Sequence, residues 1–172
     1  VVAAAVLLPL DFSIVGLNDS KKLDPVRRTD LFDQILATAK CEIEFAFPDE
    51  IDRLNILRAS LAAMSRAVNR LAPPECIVDG NQVPPNCPCP ITTAVKGDGR
   101  FAAVAAASIL AKVTRDRYMV EQAAIYPQYG FDLHFGYPTP DHLAALRTHG
   151  PCLIHRRSFR PVADALLQGT LF

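Results

Sequence analysis

Apolar and polar positions recur with different periods along the chain, and the changes of period delimit its elements. Val1–Leu8 is an unbroken apolar run, the pattern of a strand buried on both faces. Asp24 followed by Pro25 supplies an N-cap and a first helical residue, and Leu31, Phe32, Ile35 and Leu36 then share one helical face. Between Cys41 and Phe47 the period falls to two. Ile43, Phe45 and Phe47 point one way and Glu42 and Glu44 the other, which predicts a strand with one wet face. Leu54, Leu57, Leu61, Met64, Val68 and Leu71 follow at spacings of three and four, predicting a single long helix over 49–71 that stops at Pro73-Pro74.

Shorter elements follow. Cys76–Val78 reads as a strand ending in Asp79-Gly80-Asn81, and after a proline-rich loop over 84–90, Ile91–Val95 reads as another, ending in Lys96-Gly97-Asp98. The stretch 101–126 is helical and rich in alanine, whose small side chain lets a helix axis approach a sheet closely. Residues 127–137 are aromatic and glycine-rich. Thr139-Pro140 opens a short helix that Gly150 ends, and a last helix stops near Gly169. No repeat appears, and no linker separates two domains. The order β-α-β-α-β-β-α predicts one α/β domain.

Composition narrows the class. Half of the 172 residues are apolar, which suits a globular domain with a real core. No run of about 18 apolar residues argues for a membrane span, and the apolar opening lacks the basic flank of a secretion signal. The chain begins at Val1, with no turn or cap before the first apolar run, so that run reads as a strand entered midway and the chain as a fragment. The formal charge is zero, which excludes a globally basic nucleic-acid binder but leaves room for a local basic face. Residues 1–52 carry ten acids and five bases, whereas 53–111 carry three and six and 112–160 four and seven. Thirteen of the 18 bases are arginine, the side chain suited to forked contacts with phosphate; ordinary solvated helix faces give the same tally. Five cysteines without a signal sequence fit unpaired thiols in a reducing cytosol. Cys87 and Cys89 with His134 and His142 would make a zinc set, but the C-x-C spacing falls short of the usual metal-binding loop.

The candidate chemistry lies at strand ends and in turns. Asp79 and Asp98 each follow a predicted strand, where loops of an α/β sheet diverge and ligands bind, and carboxylates there suit a hard divalent cation. Both also sit in turn sequences, Asp-Gly and Lys-Gly-Asp-Gly, that need no ligand to explain them. Ser20, Lys21 and Lys22 precede a helix start and form either a phosphate seat or a solvated cap. The rings of Phe131–Tyr137 either stack on a sugar or base or pack a loop.

Seven motifs stand in one order: NDSKKL at 18–23, IDRLNIL at 51–57, VDGN at 78–81, VKGD at 95–98, AASILAKVTRD at 106–116, YPQYGFDLHFGY at 126–137 and HRRSF at 155–159. Together they resemble the bacterial ribonuclease HII family over residues 1 to about 162. The resemblance implies a ribonuclease H-like mixed sheet with helices on both faces. Residues 1–162 would form the catalytic domain, lacking its first, central strand, and 163–172 the end of the C-terminal helix and a tail. It also implies an endonuclease that cleaves RNA in RNA–DNA hybrids and single ribonucleotides in duplex DNA. Two Mn2+ or Mg2+ ions would drive hydrolysis, leaving 3′-hydroxyl and 5′-phosphate ends.

Of the family's four catalytic carboxylates, Asp79 and Asp98 match two. The other two are an adjacent Asp-Glu pair on the first strand, followed by Gly-Arg-Gly, and neither is found in this sequence. Tyr137 matches the tyrosine that meets the ribose at the RNA–DNA junction, while Phe135 stands where the family commonly has lysine. Ser20, Lys21, Lys22, Lys112, Arg115, Arg156 and Arg157 are candidate contacts to the duplex backbone. The resemblance further implies a cytoplasmic monomer acting in DNA replication and repair. With half its metal ligands and a central strand lacking, residues 1–172 alone are expected to be inactive and poorly folded. Two rival readings are a non-catalytic hybrid-binding remnant and a zinc-dependent interaction module.

Overall fold

The computed structural model describes residues 1–169, and side chains through Leu167, so the last three residues of the expected tail lie outside the described residues. The chain divides into two compact units, Val1–Ala46 with Ala59–Thr114, and Phe47–Arg58 with the chain from Arg115 onward.

In the first unit, β1 (Val2–Leu7) pairs antiparallel with β2 (Lys40–Phe45), from Val2 opposite Phe45 to Leu7 opposite Lys40. Between them runs α1 (Pro25–Thr38), opened by the Asp24 carboxylate, which accepts the Arg27 N–H at 2.9 Å. Helix α1 buries Leu31, Phe32 and Ile35, but Leu36, expected on the same face, is exposed because the stripe that meets the core is narrower than the periodic pattern. These three pack on Ala106, Ile109, Leu110 and Val113 of α4 (Ala102–Ile125). Ala105 and Ala106 are fully covered, as close approach of an alanine-rich helix requires.

Two strand readings are corrected. Glu44 was expected on a wet face but is buried, because Arg66 and Arg70 reach over it at 3.2 and 2.7 Å and match its charge. In β1 only Ala3 and Ala5 are buried, and the remaining positions are half-covered, so the run is not enclosed on both faces.

The predicted helix over 49–71 is also two helices, α2 (Pro48–Leu54) and α3 (Ile56–Leu71). Asn55 breaks them with φ +70° and ψ 163°, outside the left-handed helical well and rare for any residue with a side chain. Its N–H still reaches the Ile51 carbonyl at 2.8 Å, and its side chain accepts the Arg58 N–H at 3.1 Å. In the first unit the buried face of α3 is Ala59, Ala63, Ala67 and Val68 rather than the leucine stripe.

The second pair of strands, β3 (Cys76–Asp79) and β4 (Ile91–Ala94), is parallel, with Asp79 opposite Ala94. The sheet is therefore in two pieces, β1-β2 and β3-β4. A cavity of about 430 Å³ separates them, lined by β1 and β3 and floored by Met64 and Val68 of α3 and by Ala103, Ala107 and Ala111 of α4. Among the described residues each of these strands has one partner, which leaves the facing edges of β1 and β3 beside the cavity without a strand partner there.

The second unit is helical: α2, the later turns of α4, a 3-10 turn over Pro127–Tyr129, α5 (Phe131–His134), α6 (Pro140–His149) and α7 (Arg160–Gly169). Thr139 caps α6 by accepting the His142 N–H at 3.3 Å, and Gly150 ends it with φ +70°. Its core is Met119, Tyr129 and Phe131, with Tyr118, Tyr126, Phe135, Cys152 and Ile154 packed around them.

Candidate active site

Asp79 is the last residue of β3 and is exposed. One of its oxygens accepts the Gly97 N–H at 2.8 Å, which draws the turn after β4 against the end of β3. That turn needs glycine at 97. A Cβ there would lie 3.3 Å from both the Ala94 Cβ and the Val104 Cγ1, tighter than ordinary contact. Lys96 precedes it in the left-handed region (φ +56°), and a 3-10 turn over Gly97–Gly99 carries Asp98, which is half-exposed. The structure thus brings together the two acids singled out in the sequence, through a backbone bond and without help from another side chain. Their chemistry fits a hard divalent cation, since Mg2+ is commonly held by one or two carboxylates, retained waters and substrate phosphates. Among the described residues no group of three or more His, Cys, Asp or Glu side chains is placed to hold a metal ion by itself.

Also in the first unit, Ser20, Lys21 and Lys22 lie in the turn before α1. Asp19 accepts the Lys21 N–H at 3.0 Å, and Arg28 reaches back to the carbonyls of Ser20 and Leu23, both at 2.7 Å. Ser20 is buried, while both lysines face solvent. Lys112 is half-buried on α4. Cys87 and Cys89 pack with Cys76 against Ala5, Ala67 and Val68, and burial pushes the Cys76 thiol up to about 11.

The second unit organises Tyr137. Its ring is about half exposed and lies under the Arg115 guanidinium, 4.6 Å from the ring centre. Arg115 also donates to the Phe135 carbonyl and pairs with Asp116 at 3.6 Å. It is therefore engaged in holding the loop that presents Tyr137. Phe135 has φ +50°, uncommon for a bulky residue, and its N–H is tied to the Phe131 carbonyl at 2.8 Å while its ring packs on the aromatic core. The Tyr137 N–H donates to the His134 carbonyl at 2.9 Å, and its carbonyl accepts from Thr139 N–H at 2.8 Å and His142 Nδ1 at 2.9 Å. Arg156 stacks its guanidinium 5.1 Å from the centre of the Phe159 ring, and Arg157 is exposed.

Two groupings are not assembled by the sequence, which sets His134 and His142 only beside Cys87 and Cys89 as a zinc set. Asp52 accepts the N–H groups of Arg157 and Ser158 at 2.7 and 2.9 Å and the Ser158 hydroxyl, which clamps the HRRSF loop. Partial burial works to raise its pKa, but those hydrogen bonds and the nearby Arg156 charge outweigh it and hold the carboxyl below its usual range. The second set is His134, His142, His155 and Cys152. The rings of His134 and His142 stack at 4.4 Å, His142 Nε2 meets His155 Nε2 at 3.1 Å, and His155 Nδ1 meets Cys152 Sγ at 3.1 Å. Burial lowers both His142 and His155, the latter to about 4, with the neighbouring imidazole adding to the effect. A faint signal was available, since Asp52 and three of these four residues fall inside or beside the quoted motifs. Only folding shows that they meet.

Comparison with known proteins gives the family and the fold. The Ribonuclease HII family profile matches residues 1–162. The chain is 56% identical over 169 residues to the Ribonuclease HII of Marinomonas sp. (strain MWYL1), covering 96% of this chain and 85% of that protein. It is 53% identical over 168 residues to that of Maricaulis maris (strain MCS10), covering 96% and 77%. The fold is similar to that in the crystal structure of the ribonuclease H2 from Pyrococcus horikoshii OT3, with TM-score 0.76, 22% identity and full coverage of both chains. It is also similar to a chain in the PCNA:RNase HII complex from Archaeoglobus fulgidus, with TM-score 0.72, 24% identity and coverage of 95% and 88%. From one strand pair that presents Asp79 at the end of β3 and Asp98 in the turn after β4, and a match running through nearly the whole sequence, the conclusion is that the chain belongs to the ribonuclease HII family of metal-dependent endonucleases.

Proposed function

We propose that the protein cleaves the RNA strand of RNA–DNA hybrids and single ribonucleotides in duplex DNA, with Mn2+ or Mg2+ held by Asp79 and Asp98. The observation that carries this reading is the pair of strand ends joined by the Gly97–Asp79 bond. It ties one oxygen of the exposed Asp79 to the residue that precedes Asp98 in the turn. When bound, divalent ions supply an activated water and neutralise charge on the scissile phosphate. The chain's own part is to hold the duplex and to recognise the ribose. Lys21, Lys22 and Arg157 are exposed cations suited to phosphate, with Ser20, Lys112 and Arg156 beside them as weaker candidates. Tyr137 offers half a ring to the sugar, and Arg115 stabilises that ring from its other side. Residues 1–162 form the working domain, acting as a monomer in the cytoplasm during replication and repair.

The cavity between β1 and β3 supports a further part of the reading. A strand placed ahead of Val1 and carrying the family's Asp-Glu pair would satisfy both free edges, cover the apolar floor and bring two more carboxylates beside Asp79. The test joins such a segment, ending in Gly-Arg-Gly, to Val1. Cleavage of an end-labelled duplex containing one ribonucleotide is then followed with Mn2+, with Mg2+ and with chelator. Metal-dependent cutting is expected from the joined protein, none from residues 1–172, and a loss of at least about a thousandfold on Asp79→Asn. Cutting within about tenfold of the parent by the Asn variant would remove Asp79 from the metal site.

A further inference from the structure

His142 and His155 lie in the second unit and are given no part in holding metal or phosphate, yet all their ring nitrogens have partners. The two ends of the arrangement are fixed by backbone groups, and this determines which nitrogen carries each proton. The Cys152 N–H donates to His155 Nδ1 at 3.0 Å, so that nitrogen is an acceptor and His155 carries its proton on Nε2. At the other end the Tyr137 carbonyl can only accept, so His142 Nδ1, 2.9 Å away, carries a proton and donates it. The remaining contact, Nε2 to Nε2 at 3.1 Å, then closes with one donor and one acceptor, His155 N–H to His142 N. The Cys152 thiol at 3.1 Å from His155 Nδ1 adds a second donor at the start. No other assignment of protons to the two neutral rings satisfies all three contacts. His134, stacked on His142 at 4.4 Å, is oriented independently, with Nε2 toward the Tyr129 carbonyl at 2.7 Å and Nδ1 accepting the Gly136 N–H at 3.1 Å.

We propose that Cys152, His155 and His142 form a one-way hydrogen-bond chain whose last bond sets the backbone of Tyr137, making His142 a positioning residue for ribose recognition. The inference rests on the reading of Tyr137 as the ring that meets the sugar. His142 sits in the first turn of α6, Cys152 and His155 in the loop after that helix, and Tyr137 in the glycine-rich loop before it. The chain therefore ties the Tyr137 loop to α6 and to the loop beyond it. Thr139 N–H supplies the other bond to the same carbonyl, but from only two residues away, so it does not anchor the loop to anything distant.

Burial keeps both imidazoles neutral at pH 7, with His155 lowered to about 4. Protonating His142 would set two Nε2–H groups against each other across 3.1 Å, and protonating His155 would set its Nδ1–H against the Cys152 N–H at 3.0 Å. The titratable and charged groups facing the pair are His134, Cys152 and Tyr129, whose ring centre lies 5.0 Å from that of His155. Tyr118 and Tyr126 face Cys152 and Tyr129, and Arg115 faces Tyr137.

The experiment measures binding of the 172-residue protein to a DNA duplex with one ribonucleotide and to the same duplex without it, by fluorescence anisotropy, with thermal melting as control. His142→Leu is expected to lower the ratio of the two affinities about tenfold, whereas His142→Asn, whose amide N–H stands near the place of Nδ1, keeps it within about threefold. In the parent the ratio falls as pH drops from about 6.5 toward 4, and in His142→Asn it stays flat. A purely structural role would lower both affinities together with the melting temperature. If Tyr137→Ala lowers the ratio and His142→Leu does not, the positioning role is overturned while the ribose reading stands. If Tyr137→Ala leaves the ratio unchanged, the ribose reading and this inference both fall. Should His142→Leu melt too early to assay, 15N side-chain spectra of the parent decide. Protons on Nδ1 of His142 and Nε2 of His155 support the chain, and the opposite pattern overturns it.

Discussion

Asp79 and Tyr137 are both exposed and both proposed to serve the reaction, yet the molecule holds them by opposite means. Asp79 stands on a four-residue strand and is tied by one backbone N–H from a glycine turn; the fit of that turn depends on small volumes around Gly97. Tyr137 stands on a loop and is held by side chains, with Arg115 under its ring and His142 on its carbonyl, which in turn depend on Asp116, His155 and Cys152. The first arrangement depends on a backbone amide and on close packing around Gly97, and fails when volume changes. The second uses rings that must stay neutral and fails when protons are added. Sites in one small protein can therefore be sensitive to quite different insults.

Four measurements break or sharpen this contrast. Leu31→Ala empties a fully enclosed place in the first unit and should cost about 2–5 kcal/mol in denaturant unfolding. Hydrogen exchange should show the loss on α1 and β2. An equal loss of protection around Tyr137 would mean that the two regions do not respond separately.

Acid should act the other way. His142 and His155 are lowered on folding, so the unfolded chain binds more protons below about pH 6.5, and stability falls from there toward about pH 4. The melting temperature should drop by several degrees between pH 7 and 5, with exchange rising first around Phe131–His142. A flat melting temperature over that range would show that the rings are not under this constraint.

A smaller effect is expected at Asp52. Its carboxyl is held low, so its contribution is present above about pH 4 and is lost as pH falls through the folded value. Asp52→Asn should cost about 1–2 kcal/mol near neutrality by weakening the bonds to Arg157 and Ser158. Equal stability of the two proteins at pH 7 would show the clamp to be dispensable.

The smallest change belongs to Asp79→Asn, which should shift unfolding by less than about 0.5 kcal/mol because the amide oxygen still accepts the Gly97 N–H. A large loss would mean that the carboxylate serves the fold as well as the reaction.

Much of this was legible in the chain. Caps and periods placed α1, α6 and the alanine-rich α4, because these signals act over three or four residues. Asp79 and Asp98 were legible for the same reason, since each ends a short apolar run at a turn. Illegible were the break at Asn55, the burial of Glu44 and the face of α3. The leucine spacing marks an apolar stripe but does not say that Ala59, Ala63 and Ala67 are the residues whose size permits contact. Glu44 looks solvated until Arg66 and Arg70, more than twenty positions later, are laid over it.

By itself, then, the sequence determined the local elements, the turn acids and the family, because each depends on neighbours in the chain or on ordered motifs. The tertiary structure alone decided that Asp52 meets Ser158, that the sheet stands as two pairs around a cavity, and that four ring nitrogens and a thiol run in line to Tyr137. Those contacts depend on distance and direction in space, where a hydrogen bond requires about 3 Å and one proton between two atoms, and neither quantity is encoded in residue type or spacing.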